Sequence, residues 1–324
     1  MPIRRLALLL AFTATAALAQ QPPAAPAQPA PPAPSDSPQP PVAEAQPAPA
    51  PPVKAPDPGD FKVVYEKVKS PDYKELQGVF RGTQLLEETT RALNEKLSLP
   101  ADVTVALREC GAADATYEPG THRISICYEL VDAFAGLFLS VSGKAPDARQ
   151  AGAAVAAATS FALFHETGHA LIDLYQLPTN GKEEETADQL ATLALLGTGR
   201  QGATAAIDSA STLLVQARDA AARARLAKVP FWSGHSFDEA RLASVICWAY
   251  GKDPQRLQDQ IADGTLLGGR AEGCPAEYEK LARSWAEPLF PYLRGWDFAP
   301  PPPVPVAPEP PTAPPPTSPP PPRP

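Results

Sequence analysis

Apolar residues recur at helical spacing in several segments of the chain. Residues 83–97 predict a helix, because leucines and alanines lie three or four positions apart and Pro100 follows. Residues 151–175 are rich in alanine, with larger apolar residues at the same spacing, and Pro178 marks their end. Further helices are predicted at about 183–196, 203–226, 237–250 and 276–293.

Strand-like patterns are confined to the first part of this region. Residues 61–68 alternate apolar and polar side chains, and residues 103–107 and 123–127 are short apolar runs on either side of a turn-rich segment. We interpret the last two runs as an antiparallel hairpin. Strands first and helices later indicate an α+β fold, with a small antiparallel sheet or hairpin in an N-terminal lobe and a mainly helical C-terminal lobe.

Proline usage separates the ends of the chain from its centre. Of the 43 prolines among 324 residues, sixteen lie in 21–58 and sixteen in 300–324. Such segments bury little apolar surface, so we expect disordered, proline-rich tethers at 20–59 and 299–324. One domain is predicted over 60–298, with lobes of about 60–177 and 178–298.

The first nineteen residues have the pattern of a secretory signal peptide. Two arginines precede an apolar run, and Ala17-Leu18-Ala19 offers a small-residue cleavage site before Gln20. A short membrane anchor is the alternative, but this run is too brief to span a bilayer, and no later segment reaches about 18 apolar residues. We therefore expect a periplasmic or secreted protein that does not span a membrane.

Charge and cysteine content narrow the class of protein further. The net charge of −8 argues against nucleic acid as a partner. Four cysteines in an exported chain favour two disulfides, for which three pairings are possible. The pairing with the shortest loops joins Cys110 to Cys127 and Cys247 to Cys274. A structural zinc site is the weaker interpretation, because no C-x-x-C is present.

The segment His165-Glu166-Thr167-Gly168-His169 lies within the predicted helix 151–175. Because a helix turns once every 3.6 residues, its two histidines share a face, where both imidazoles can bind one metal ion. The carboxylate of Glu166, one position along, can reach a water bound to that ion. A pair of surface histidines is the alternative, but the flanking residues are largely apolar. The segment predicts a zinc site with Glu166 as the general base.

A catalytic zinc ion commonly has three protein ligands, so a third is expected from another element. The predicted helix 183–196 begins with Glu183, Glu184 and Glu185. Glu184 and Asp188 are four positions apart, so one carboxylate can bind the metal while the other accepts an N–H from a ligating histidine. We favour Glu184 as the ligand and Asp188 as the acceptor. A solvated acidic first turn, stabilised by the helix dipole, is the alternative for all three glutamates. We favour it for Glu183 and Glu185, although either of them could be the ligand in place of Glu184.

Attack of a metal-bound water on a carbonyl group also needs a side chain that stabilises the oxyanion together with the metal. His235 is the leading candidate, because acidic residues follow it at the start of a predicted helix and can orient its ring. A role in capping the preceding turn is the alternative. Tyr175 and Arg241 are weaker candidates for the same function.

Four other features carry less specific signals. His122, in the predicted hairpin turn, is expected to be an exposed polar residue rather than a ligand. Asp173, one turn beyond His169, either supports the metal site or is solvated at the helix end. Gly168 costs about 1 kcal/mol within a helix, which indicates close approach of another backbone or a substrate, or else simple tolerance. The glycine pattern at 197–202 follows a predicted helix, so we interpret it as a cap and turn.

Several segments together resemble a bacterial metallopeptidase family of unknown function. They are Cys110-Gly111 with Tyr117, the run Ile124-Ser-Ile-Cys-Tyr-Glu-Leu130, His165 through Asp173, and Cys247-Trp-Ala-Tyr-Gly251. The HExxH motif followed by E-x-x-x-D on the next helix also resembles gluzincins such as the thermolysin-like enzymes. The resemblance covers most of 60–298 and neither end of the chain. It implies a zincin-like fold, a bound zinc ion and peptidase chemistry.

Two functions are consistent with these observations. The first is an exported zinc metallopeptidase that acts on peptides or proteins, with Glu166 as the base for zinc-activated water. The rival is a catalytically silent, zincin-like interaction protein with a structural metal, whose proline-rich arms bind a partner in the cell envelope. Retention of Glu166 favours the peptidase, since a structural site has no need for a carboxylate aimed at bound water.

Overall fold

The computed structural model describes residues 54–141, 148–197, 211, 224, 227–235, 238–255 and 267–294. Within these residues the chain forms four strands, eight α-helices and three short 3₁₀ helices. The strands are β1 (Phe61–Tyr65), β2 (Val103–Arg108), β3 (Ala115–Glu118) and β4 (Arg123–Cys127). The α-helices are α1 (Pro71–Thr83), α2 (Leu85–Lys96), α3 (Tyr128–Val141), α4 (Ala148–Tyr175), α5 (Glu183–Gly197), α6 (Pro230–Gly234), α7 (Glu239–Lys252) and α8 (Cys274–Leu289). The 3₁₀ helices are Pro119–Thr121, Gly268–Gly273 and Phe290–Tyr292.

The four strands form one mixed sheet in the order β1-β2-β4-β3. β1 pairs with β2 and β2 with β4 in parallel, whereas β3 runs antiparallel to β4 at the edge. The predicted α+β class is confirmed, with the sheet in the N-terminal part and mainly helices after it. The predicted hairpin between 103–107 and 123–127 is wrong, because these strands are parallel.

The cause of that error is a short strand within the turn-rich segment. β3 has only four residues and a weak alternation of side chains, so its sequence looks like a turn. It reverses the chain direction once, and the tight hairpin to β4 reverses it again, which leaves β2 and β4 parallel. Cys110 and Cys127 then lie at matching ends of β2 and β4, where they form a disulfide with a Cα–Cα distance of 5.5 Å.

A second disulfide joins two of the later helices. Cys247 of α7 is bonded to Cys274 at the start of α8, so the pairing with the shortest loops is the one present in the structure. A Cβ on Gly251 would lie only 2.2 Å from the carbonyl oxygen of Cys274, which allows α7 and α8 to pack with their backbones in contact. Together the bridge and the close packing hold the second half of α7 against α8; Arg241 lies in the first turn of the same helix.

Helix α4 is the central element of the core. Ten consecutive residues, 161–170, are buried, as expected for a helix that is covered on all sides. It packs against α3, α5 and the strands β3 and β4. A Cβ on Gly168 would lie 2.5 Å from the carbonyl oxygen of Ala187 in α5. The close backbone approach predicted at Gly168 is therefore present, and it brings the first turns of α5 against the histidine-bearing part of α4.

The predicted helices within the described residues are confirmed with small shifts in their ends. They correspond to α2, α4, α5, α7 and α8, whereas the sequence analysis does not predict α1, α3 and the five-residue α6. Most of the predicted helix at 203–226, the predicted signal peptide and both proline-rich ends lie outside the described residues. In the part of the chain that the structure describes, no helix combines the length and apolar character needed to cross a membrane.

Candidate metal centre

Four potential metal-binding side chains meet where α4, α5 and the end of α6 come together. They are His165 and His169 on α4, Glu184 in the first turn of α5, and His235 immediately after α6. His165 Nε2 lies 3.2 Å from His169 Nε2 and 3.2 Å from Glu184 Oε2. His169 Nε2 lies 3.6 Å from Glu184 Oε1. The structure thus brings together the two histidines and the glutamate that the sequence predicted as ligands, and adds His235 to them.

Carboxylates hold the outer nitrogens of both α4 histidines. His165 Nδ1 lies 3.0 Å from Asp188 Oδ1, and His169 Nδ1 lies 3.0 Å from Glu183 Oε1. An N–H donated outward at Nδ1 leaves a lone pair on Nε2, which faces the centre of the cluster. We assign these tautomers from the hydrogen-bond partners. Both imidazoles are therefore oriented as neutral ligands would be.

Arg241 of α7 connects three parts of this cluster. Its Nε donates to Asp188 Oδ2 at 2.6 Å, and its Nη2 donates to the backbone carbonyl of Glu184 at 3.2 Å. Its Nη1 donates to the backbone carbonyl of His235. The Asp188 side chain is only 2 % exposed, and a carboxylate so deeply buried requires a charged partner. Arg241 thus supplies that charge and fixes α5, α6 and α7 around the histidines.

Glu166 is buried beside the cluster without a hydrogen bond to either carboxylate oxygen from the described residues. His235 Nε2 lies 3.3 Å from Glu166 Oε1, but it lies 3.2 Å from the carbonyl of Ala115, which takes its hydrogen bond. Burial raises the pKa of Glu166, and the nearby His165 and His235 oppose that shift. A buried carboxylate without a hydrogen bond is rare in proteins and indicates a group that interacts with something besides the protein.

The electrostatics of the cluster favour a bound cation. Burial alone lowers the pKa of His165, but hydrogen bonds to Asp188 and Glu184 outweigh it and raise that pKa to about 9. Burial opposes the ionised form of Glu184, yet its contacts with His165 and His235 hold its pKa well below the usual range. Four carboxylates surround the histidines, whereas Arg241 is the basic side chain with ion pairs to this group among the described residues.

The donor atoms also fit a metal ion geometrically. Ligands bound tetrahedrally at about 2.0–2.1 Å from an ion lie about 3.3 Å from one another. Five pairs of donor atoms, drawn from the inward nitrogens and the Glu184 carboxylate, are separated by 3.1 to 3.6 Å. Inward lone pairs at such distances repel each other unless a positive charge lies between them. The His and Glu residues of this group could therefore bind a metal ion.

The other predicted site residues have different outcomes. Asp188 accepts from His165, as its predicted role requires. Glu185 pairs with Lys182 on the surface, in agreement with a solvated first turn. Glu183, which is expected to be solvated in the same turn, also lies with its Oε1 atom 3.0 Å from His169 Nδ1. Its side chain is 60 % exposed, and nothing in the sequence distinguishes it from its neighbours.

Three further candidates lie outside the cluster. The hydroxyl of Tyr175 donates to the carbonyl of Ser98 and its ring stacks on Tyr292, so it is not placed to stabilise an oxyanion. Asp173 accepts from Tyr117 at 2.7 Å and so links α4 to β3 rather than to a ligand. His122 occupies the turn before β4 with a φ of 47° and is not among the converging groups.

The sequence comparison identifies the family. The family model described as "Putative metallopeptidase" matches residues 65–289, and the chain belongs to this family. The match includes every residue of the cluster and both disulfides. No curated protein and no solved structure matches the chain.

Proposed function

We propose that this protein is an exported zinc-dependent peptidase in which Glu166 is the general base. The observation that carries the proposal is the buried Glu166 carboxylate, which has no hydrogen bond from the described residues and lies beside a convergent His/Glu cluster. Membership of a metallopeptidase family supports a metal ion and a peptide or protein substrate. In this proposal His165, His169 and Glu184 are zinc ligands.

A zinc ion bound by these residues would supply Lewis acidity, which lowers the pKa of a water and polarises a carbonyl group. Glu166 accepts the proton of the attacking water and then donates it to the nitrogen of the leaving amine. Burial favours this role, because it raises the pKa of Glu166 toward the operating pH, where a carboxylate both accepts and releases a proton efficiently. Asp188 and Glu183 hold the imidazoles in the ligating tautomer.

The proposal places the protein in the periplasm or outside the cell. Two disulfides are compatible with such an oxidising environment. Residues 1–19 would be removed as a signal peptide, and the proline-rich segments 20–59 and 299–324 would tether or space the domain at 60–298. N-terminal sequencing of the exported chain tests this part: a start at Gln20 supports it, and retention of Met1 contradicts it.

One observation favours the rival function, a metal-binding interaction protein without activity. His235 lies as close to His165 and Glu184 as a fourth ligand would, and structural metal sites commonly have four protein ligands. Glu166 argues in the opposite direction, because the burial of an ionisable carboxylate without a hydrogen bond lowers stability, and a purely structural metal site gives no reason to tolerate that cost. We therefore retain hydrolysis as the leading proposal.

Substitution of Glu166 separates the two functions. Glu166→Gln is expected to lower the rate of hydrolysis of a peptide library by about 10²–10⁴-fold, since it removes the general base. Zinc content should be retained, because Glu166 is not a proposed ligand. Glu185→Gln, an exposed glutamate on α5, is the matched control and should hydrolyse at the wild-type rate. Equal rates in wild type and Glu166→Gln, at equal zinc content, would overturn the peptidase proposal.

A further inference from the structure

We propose that His235 is a fourth protein ligand, which binds the metal ion through Nδ1 and closes its coordination shell in the conformation described. The inference rests on the metal-binding part of the function proposed above. It replaces the role expected from the sequence, in which His235 is a hydrogen-bond donor to the oxyanion.

The first argument is the position of the Nδ1 atom. It lies 3.1 Å from His165 Nε2 and 3.2 Å from Glu184 Oε2. These distances match the separation of about 3.3 Å between neighbouring ligands of a tetrahedral ion. A group that donates to a substrate oxygen beside the metal would instead lie in a further shell, at hydrogen-bond distance from that oxygen rather than at ligand separation from two ligands.

The second argument is the hydrogen bond at the opposite side of the ring. His235 Nε2 lies 3.2 Å from the backbone carbonyl of Ala115 in the edge strand β3. A carbonyl can only accept, so Nε2 carries a proton, and in the neutral imidazole, which is the form that binds a metal ion, Nδ1 then carries the lone pair. This is the same arrangement as in His165 and His169, whose outer nitrogens are held by Asp188 and Glu183. All three imidazoles therefore point a lone pair at one centre and donate outward, as metal-ligating histidines do.

The backbone of His235 is held in place as well as its ring. Arg241 donates to the carbonyl of His235, and the amide of His235 donates to the carbonyl of Phe231 within α6. The same guanidinium binds Asp188, the partner of His165. One arginine thus holds both the backbone of His235 and the carboxylate that contacts His165, which suits a pair of ligands to the same ion.

A fourth protein ligand would affect the access of water to the metal ion. Four protein ligands leave no position for water unless the coordination number increases or one ligand departs. Among the four, His235 lies outside the α-helices, directly after the five-residue helix α6, and its Nε2 atom contacts the carbonyl of Ala115 in β3. The zinc-loaded protein in this conformation is therefore a resting state, and departure of His235 would open the shell beside Glu166.

X-ray absorption spectroscopy of the zinc-loaded, full-length protein tests the inference without reference to hydrolysis. Fits to the wild-type spectrum should require three imidazoles and one carboxylate, and fits to His235→Gln should require two imidazoles. His122→Asn is the matched control, because asparagine tolerates the left-handed backbone at this position, and its spectrum should equal that of wild type. Two imidazoles in the wild-type fit would overturn the inference.

A chelator competition gives a second, independent measurement. His235→Gln should bind zinc at least tenfold more weakly than wild type and His122→Asn, because loss of a ligand should weaken the site at least as much as loss of a group that orients one. Circular dichroism shows whether His235→Gln is folded. If this variant is unfolded, the number of imidazoles in the X-ray absorption spectrum of the wild type decides whether His235 is a ligand. A three-imidazole spectrum with inactive protein would support His235 as a ligand and count against peptidase activity, so the two proposals fail separately.

Discussion

The two histidines of α4 are held by carboxylates in opposite surroundings. Asp188, the partner of His165, has a side chain that is 2 % exposed, whereas Glu183, the partner of His169, is 60 % exposed. We call His165, Asp188 and Arg241 the buried half of the site, and His169 and Glu183 the exposed half. Glu184 contacts the histidines of both halves.

The same contact between a carboxylate and a histidine is expected to affect stability and metal affinity more in the buried half than in the exposed half. In the buried half, low dielectric strengthens the interaction between Asp188 and Arg241 and makes the loss of either partner severe. In the exposed half, water competes for Glu183 and screens its charge. We therefore expect the buried half to determine both the fold around the site and metal affinity, and the exposed half to adjust affinity slightly.

The largest effect should come from removing the cation of the buried half. Arg241→Met breaks the buried ion pair with Asp188 and leaves that carboxylate with His165 as its remaining partner, so the free energy of unfolding should fall by about 3 kcal/mol. Urea denaturation of the metal-free protein measures this free energy of unfolding. Arg283→Met, at an exposed pair with Glu279 on α8, is the control and should change stability little. Equally small changes in the free energy of unfolding of both variants would show that the buried pair of Asp188 and Arg241 does not determine the stability of the fold around the site.

The next prediction compares the two carboxylates directly. Asp188→Asn should weaken zinc binding by about 10–100-fold, the usual result of losing a group that orients a ligand. Glu183→Gln should weaken it by less than tenfold, because the exposed amide still occupies a hydrated position near His169. Competition with a chromophoric chelator measures both affinities. If Glu183→Gln were the weaker binder, the assignment of the two halves would be reversed.

The smallest effect concerns the contact that places α5 beside α4. Gly168→Ala puts a methyl group against the backbone of Ala187, and overpacking outweighs the gain in helix propensity, so stability should fall by about 1 kcal/mol. Gly136→Ala in α3 meets no atom within 4 Å and should instead raise stability by about 0.5–1 kcal/mol. Thermal unfolding measures both. A stabilising Gly168→Ala would show that the close approach is not required.

The features that could be predicted from the sequence are those that depend on residues close together in the chain. The HExxH spacing places two histidines on one face of a helix, and the spacing from Glu184 to Asp188 repeats this on α5, so these roles follow from helix geometry alone. Gly168, a glycine within a long helix, indicates the close approach of another backbone or a substrate, and in the structure that backbone belongs to α5. The pairing of β2 with β4 depends on the four-residue strand β3, whose local signal is too weak to detect.

The contacts of His235, Glu183 and Arg241 depend on how distant segments pack. His235 lies 70 positions after His165, and Arg241 lies 53 positions after Asp188, so no helical or strand period relates them. The contact of Glu183 with His169 depends on the turn between α4 and α5. Only a folded structure could distinguish it from Glu185, which has the same charge two positions later.

Zinc stoichiometry in matched glutamate variants tests the central claim most directly. Elemental analysis after dialysis against excess zinc and then metal-free buffer should give about one zinc ion per chain for wild type and for Glu185→Gln. Glu184→Gln, which removes the carboxylate shared by both halves, should retain far less. Wild type without stoichiometric zinc, or Glu184→Gln with as much zinc as Glu185→Gln, would contradict the account.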